Sequence, residues 1–188
     1  MIILASASPR RRELLSLITG NFTVTAADVD ESFKEGTDPR RLVEELSLKK
    51  AKAVFCAHRS GCVIGADTVV AIGGEILGKP RDEADAFAML RQLSGCTHTV
   101  FTGVSIMAPG IAKTFSQAAD VTFFELSDDE IQKYIETGEA FDKAGAYGIQ
   151  GKGALLVSGI DGDFYTVMGL PVGTLYRKLL ALKLLENN

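Results

Sequence analysis

Apolar and polar positions along this chain follow two periods, one near two residues and one near 3.6, and the switches between them predict alternating strands and helices. Residues 2–5 are a short apolar run that reads as a buried strand. The turn-prone Ser6-Ala7-Ser8-Pro9 follows, then a helical pattern with Leu14, Leu15 and Ile18 on one face and Pro9 in its first turn. Residues 22–26 alternate as a strand does. Asp28-Val29-Asp30-Glu31 opens an acidic loop that ends at Asp38-Pro39, a cap and first-turn pair for a helix carried by Leu42, Val43, Leu46, Ala53 and Val54 to about residue 57. Residues 62–72 are a long buried strand, Gly73-Gly74 a tight turn, and residues 75–77 the returning arm of a hairpin closed by Gly78-Lys79-Pro80.

In the second half, Ala86, Met89, Leu90 and Leu93 are spaced to bury one face of a helix over residues 82–93. Residues 97–107 and 113–124 are two long strands joined at Pro109-Gly110, which predicts an antiparallel pair. Ser127 with Glu130 three residues on is a capping-box pattern for a helix from about residue 128 to 137. Glycines at 138, 145, 148, 151 and 153 are too dense for regular structure, so this stretch is read as loop and turns. Residues 155–160 then form a strand, Asp161-Gly162-Asp163 a turn, and Pro171 opens a last helix reaching about residue 185. No repeat at a fixed period and no clean linker interrupts the pattern, and the economical reading is one α/β unit with a mixed sheet.

Composition narrows the function classes. A chain of 188 residues, 46% apolar and 23% charged, can bury a core without a disulfide or structural metal. Cys56, Cys62 and Cys96 are odd in number and lack a paired spacing, so free thiols are expected. The apolar run precedes the first arginines, the reverse of a secretory signal, and no stretch approaches membrane-spanning length; the expectation is a cytoplasmic protein that engages no membrane. A formal net charge of -4 disfavours a general nucleic-acid binder, whereas a small anion needs only a local basic cluster such as Arg10, Arg11 and Arg12.

Two places concentrate chemistry. A strand, then Ser6-Ala7-Ser8-Pro9-Arg10-Arg11, then a helix places hydroxyls, free amides at a helix start and guanidinium groups together, as an anion site requires; a capped surface helix with solvated arginines would give the same letters. Asp67, in Ile64-Gly65-Ala66-Asp67-Thr68, interrupts an apolar run where an ionised carboxylate is costly without a cation or strong hydrogen bonds. Held there, it can bind a divalent ion or take a proton from attacking water; the alternative is an aspartate capping a strand end. Glu31, beside Asp28 and Asp30, adds carboxylates in a loop that solvent alone can explain. Lys50 and Lys79 are not distinguished by spacing from surface lysines. His98 lies in a strand with no neighbouring ligand and is read as structural. P-loop, dinucleotide-fold and serine-esterase motifs are absent.

Six segments in order resemble the successive motifs of the Maf family: Ser6-Ala7-Ser8-Pro9-Arg10-Arg11, Gly65-Ala66-Asp67-Thr68, Gly78-Lys79-Pro80, Leu93-Ser94-Gly95, Asp142-Lys143-Ala144-Gly145-Ala146-Tyr147-Gly148-Ile149-Gln150-Gly151, and Gly169-Leu170-Pro171. The resemblance implies a two-lobed α/β fold, a long mixed β-sheet flanked by helices with a cleft between the lobes, related to the inosine-triphosphate pyrophosphatases. It implies hydrolysis of a nucleoside triphosphate to monophosphate and pyrophosphate with a divalent cation, Mg²⁺ or Mn²⁺, as cofactor, and a homodimer at the family level. By motif, Asp67 matches the proton acceptor, while Ser8, Arg11, Glu31, Lys50 and Lys79 match polar residues lining the cleft; of these, Ser8, Arg11, Lys50 and Lys79 are the candidates for binding the substrate, and Glu31 with Asp67 for holding the metal. One branch of the family, similar to the methylated-GTP enzymes, carries an aromatic residue after Ser-Pro, Ser-Asp-Gln around the aspartate and a glutamate in the glycine-rich loop. Arg10, Thr68 and Gln150 stand there instead and are similar to the branch acting on dTTP and UTP. A glutamine amide can both donate to and accept from a uracil or thymine edge. Two other readings follow from the same resemblance: a non-catalytic, nucleotide-binding regulator of septum formation, and an enzyme for modified pyrimidine nucleotides.

Overall fold

The alternating pattern of the sequence becomes strands and helices in the order β1 (Ile2–Ala5), α1 (Pro9–Ser16), β2 (Phe22–Val24), α2 (Pro39–Ala57), β3 (Cys62–Ile72), β4 (Glu75–Leu77), α3 (Glu83–Leu93), β5 (Thr97–Ala108), β6 (Ile111–Phe123), α4 (Asp128–Glu136), β7 (Val157–Asp161), α5 (Phe164–Met168) and α6 (Val172–Ala181). The computed structural model describes residues 1–34 and 36–185. The strands form one sheet in the order β2-β1-β3-β5-β6-β7, with β4 paired to β3. β1 runs parallel to β2 and β3, whereas β4 is antiparallel to β3 and β7 to β6. The sheet is therefore mixed and flanked by helices, the α/β class expected. No described helix is long and apolar enough to cross a membrane.

Local chemistry fixes the helix starts. The side chains of Ser8, Asp38 and Asp82 each accept a hydrogen bond from the backbone N–H three residues on, and Pro9 and Pro39 stand in first turns where no N–H is needed. Ser127 and Glu130 complete the predicted capping box. The β3–β4 hairpin turns through Gly73 and Gly74 at φ +59° and +87°, the left-handed pair that a two-residue hairpin needs.

The pattern misplaces four details. β2 stops at Val24 and α6 at Ala181, short of residues 26 and 185. Residues 155 and 156 close a 3-10 turn, Gly151–Leu156, so β7 begins at Val157. The turn at 161–163 leads into the unexpected α5, because the Asp163 carboxylate accepts from both the N–H and the hydroxyl of Thr166, at 2.8 Å each, and caps a helix too short to show a period.

Two compact units divide the chain. The first comprises Met1–Asp67, Thr102–Gln117 and Gly169–Asn188, the second Thr68–Phe101 and Ala118–Met168. In the first, Ile3, Ala5 and Val63 of the sheet bury against Ala51 and Val54 of α2. Two glycines let that helix lie flush on the strands. A Cβ on Gly65 would sit 2.3 Å from the Ser47 carbonyl oxygen, and one on Gly103 2.3 Å from that of Val43. In the second unit, Leu90 and Leu93 of α3, Ile131, Tyr134 and Ile135 of α4, and Val100, Val121 and Phe123 of the sheet form a core that takes in Tyr147. The three cysteines are free as expected, Cys62 buried, Cys56 and Cys96 exposed.

Candidate active site

The site grows from the end of β1 and the start of α1. Ser6 is buried, and its hydroxyl accepts from the Ser8 N–H at 3.2 Å and from Arg11 Nη1 at 3.4 Å. Ser8 in turn caps α1 by accepting from the Arg11 N–H at 3.4 Å. Arg11 Nε donates to the Gly169 carbonyl at 2.9 Å, so the first and last of the six sequence motifs meet. Arg10, beside it, is half-buried. Sequence reasoning counted Ser6 only among the hydroxyls of an anion site, not as an acceptor for Arg11, and gave the Gly169 carbonyl no task. The signal was available for Ser6, a hydroxyl directly after a fully apolar strand.

β3 supplies the carboxylate. Val63, Gly65 and Asp67 alternate onto one strand face, and α2 lies against it because Gly65 has no side chain. That close approach carries Lys50 to Asp67. Lys50 Nζ donates to Asp67 Oδ1 at 2.6 Å and lies 2.9 Å from Glu31 Oε1. Asp67 is 6% exposed and Lys50 8%, whereas Glu31 is exposed. An acid and an ammonium this enclosed are retained only as a pair, since removing one partner strands the other charge away from water.

Burial raises the Asp67 carboxyl above the ordinary aspartate range, opposed by the positive charges of Lys50 and Arg11 and reinforced by Glu31. Enclosure lowers the Arg11 guanidinium, while Asp67 and Glu31 hold it up. Ser8, Arg11, Glu31, Lys50 and Asp67 are thus brought together in the first unit. Both carboxylates converge on one cation-sized point, now held by an ammonium. No group of three or more His, Cys, Asp or Glu side chains among the described residues is arranged around a common centre. Two hard oxygen donors with the rest left to water and phosphate is nonetheless how Mg²⁺ is held beside nucleotides, so the donor set fits that ion.

The second unit holds the other residues that the motifs single out. Thr68 follows Asp67 on β3 and is half-buried; Lys79, after β4, is exposed. Gln150 is exposed in the turn-rich segment between α4 and β7, immediately before Gly151 at φ +66°. His98 is buried, as its structural reading required. Its Nε2 pairs with the Tyr147 hydroxyl at 2.7 Å, and its ring stands edge-on to Phe123 and Tyr147.

Comparison with known proteins agrees with the six-motif resemblance. A family model described as Maf-like protein matches residues 1–182. The dTTP/UTP pyrophosphatase of Bacillus velezensis is 52% identical over 178 residues, covering 95% of this chain and 94% of that protein. The protein of the same name from Bacillus cytotoxicus is 50% identical over 177 residues, covering 94% and 93%. The structure of the Staphylococcus aureus Ham1 protein aligns with a TM-score of 0.49 at 18% identity, over 65% of this chain and 71% of that one, a likeness too slight to argue from. With the model matching nearly end to end and relatives at half identity over nearly their whole length, this chain belongs to the Maf family.

Proposed function

We propose that this protein is a nucleoside triphosphate pyrophosphatase that hydrolyses dTTP and UTP to the monophosphate and pyrophosphate, as the names of its half-identical relatives state of them. The observation that carries the chemistry is the Asp67 carboxylate, enclosed on β3 and paired with Lys50 at 2.6 Å. A carboxyl raised above its usual range by burial is a better proton acceptor than a solvated one, and the Lys50 and Arg11 charges beside it favour its ionised form.

In the reaction, water attacks the α phosphorus and forms the new P–O bond while the bond from that phosphorus to the α,β-bridging oxygen breaks. The water's proton passes to Asp67, and pyrophosphate leaves with the bridging oxygen. Arg11 and Lys50 meet phosphate oxygens, with Ser6 and the Gly169 carbonyl keeping the guanidinium in place. Ser8 adds a hydroxyl at the helix start. Lys79 serves as a further phosphate contact. Arg10, Thr68 and Gln150 set specificity, Gln150 through an amide that complements a uracil or thymine edge. Glu31 and Asp67 would hold a divalent ion, which when bound neutralises phosphate charge and polarises the P–O bonds.

Asp67→Asn tests the assignment because it keeps shape and removes charge. Turnover measured as pyrophosphate release with Mg²⁺ should fall by about 10²–10⁴-fold with the fold and much of the nucleotide affinity retained, while the thermal midpoint drops because the Lys50 ammonium loses its enclosed partner. Unchanged turnover eliminates Asp67 as the base. No release by the parent protein across canonical and modified pyrimidine nucleotides would favour a binding-only regulator.

A further inference from the structure

Gln150 carries the base-reading task in the proposal above, yet its side-chain amide has no hydrogen-bond partner among the described residues and is exposed. An unsupported amide discriminates poorly. Rotated by half a turn it offers a donor where it offered an acceptor, and a loose backbone lets it meet either a uracil or a cytosine edge. Its direction must come from the backbone on either side.

That backbone is fastened two residues before and two residues after. The Gly148 N–H donates to the Tyr134 hydroxyl at 3.2 Å. The Lys152 N–H donates to both carboxylate oxygens of Glu139, at 3.1 and 3.3 Å. Tyr134 is a buried residue of α4, and Glu139 lies in the turn that directly follows that helix, so the two fastenings come from neighbouring stretches of chain. The loop is folded tightly around these groups. A Cβ on Gly151 would lie 2.7 Å from a Glu139 oxygen, and one on Gly153 would lie 2.0 Å from the Gly148 carbonyl and 3.1 Å from the Tyr134 hydroxyl. The Glu139 carbonyl also accepts from Lys143 Nζ at the opposite end of the loop.

We propose that Tyr134 and Glu139 are positioning residues for nucleobase specificity, clamping residues 148 and 152 so that the Gln150 amide is presented in one orientation. The inference rests on the assignment of Gln150 to the base. Neither residue touches the nucleotide; each acts through the loop, so its loss shows in the ratio between bases rather than in chemistry common to all.

The test compares kcat/KM for dTTP and dCTP, by pyrophosphate release with Mg²⁺, in Tyr134→Phe, Glu139→Ala, Glu139→Gln and Gln150→Ala, with thermal midpoints alongside. Tyr134→Phe keeps the buried ring and removes one acceptor, so the fold survives. Tyr134→Phe and Glu139→Ala should each lower the dTTP:dCTP ratio by about tenfold, chiefly through KM for dTTP. Glu139→Gln, whose carbonyl can still accept from Lys152, should restore most of it. A ratio that drops in Gln150→Ala but not in the two clamp variants overturns the clamp alone. So does an equal loss on both nucleotides, or an absence of rescue by Gln. A ratio unchanged in Gln150→Ala overturns the base-reading assignment and the clamp with it.

Discussion

Replacing Gly65 by alanine puts the physical link between the sheet and the Lys50–Asp67 pair under direct test. The added Cβ would lie 2.3 Å from the Ser47 carbonyl oxygen, 2.8 Å from the Ala51 nitrogen and 3.0 Å from the Ala51 Cβ. Carbon and oxygen ordinarily approach to about 3.3 Å, so α2 must retreat by about 1 Å at this point. The opposing atoms are helix backbone, which cannot rotate away, and Gly103 holds the same helix close at Val43. Overpacking a well-filled site costs about 1–3 kcal/mol, and rigid backbone on one side argues for the upper end, about 3 kcal/mol. For a chain of this length that corresponds to about 6–12 °C in thermal midpoint. Lys50 moves with the helix, and a 1 Å displacement takes its 2.6 Å bond to Asp67 beyond hydrogen-bond range. Turnover should then fall about 10²-fold. The measurements are a thermal or urea melt and pyrophosphate release. Gly20→Ala is the control, since a Cβ there meets nothing within 4 Å, and it should stay within about 0.5 kcal/mol of the parent. A Gly65→Ala protein with parental stability and parental turnover would refute the claim that this glycine sets the distance between helix and strand.

Two further outcomes follow from buried titratable groups. Burial pushes the His98 ring down to about 4 from its ordinary 6.5, so between those values the unfolded chain binds the extra proton and the native protein does not. Stability is fully present above about pH 6.5 and is lost as pH falls toward 4, by about 3 kcal/mol from this residue, and urea melts of His98→Gln across that range should show a flatter dependence. The Cys62 thiol is buried and pushed up to about 11, while Cys56 and Cys96 are exposed, so a thiol reagent at pH 8 should titrate two groups in the native protein and the third only on unfolding.

The sequence pattern was most legible where one chemical signal decided the backbone. Pro9, Asp38-Pro39, Asp82, the Ser127–Glu130 box and Gly73-Gly74 each name a start or a turn, and those boundaries fall within a residue of their expected places. Legibility failed where short-range hydrogen bonding competes with period. Asp163 capping five residues of α5 leaves no amphipathic repeat to read, and the 3-10 turn at Gly151–Leu156 presents the same apolar letters as a strand. The site divides in the same way. Asp67 was visible because an acid in an apolar strand is costly, and Arg11 because it follows a capped turn. Lys50 was invisible to spacing, since only the contact of α2 with Gly65 brings it inward, and that contact is tertiary. The clamp on residues 148 and 152 was equally hidden, because its donors are backbone N–H groups and its acceptors lie 13 or 14 residues away.

The charges gathered on the first unit also constrain the form in which a nucleotide can enter. Lys50 is already paired with both carboxylates, Glu31 and Asp67. The chain as a whole carries a formal -4, so long-range pull on a triphosphate comes only from the local arginines at residues 10–12. A free triphosphate, with about four negative charges, would also have to draw Lys50 away from two acids, leaving Asp67 enclosed and uncompensated. A nucleotide arriving with a divalent ion meets neither obstacle. Roughly half its charge would already be neutralised, and Glu31 and Asp67 would hold the ion in place of the ammonium, leaving Lys50 for the phosphate. On the proposed chemistry, that pairing predicts that a chelator abolishes pyrophosphate release, and release undiminished by the chelator would refute the transfer of Lys50 from the two acids to the phosphate.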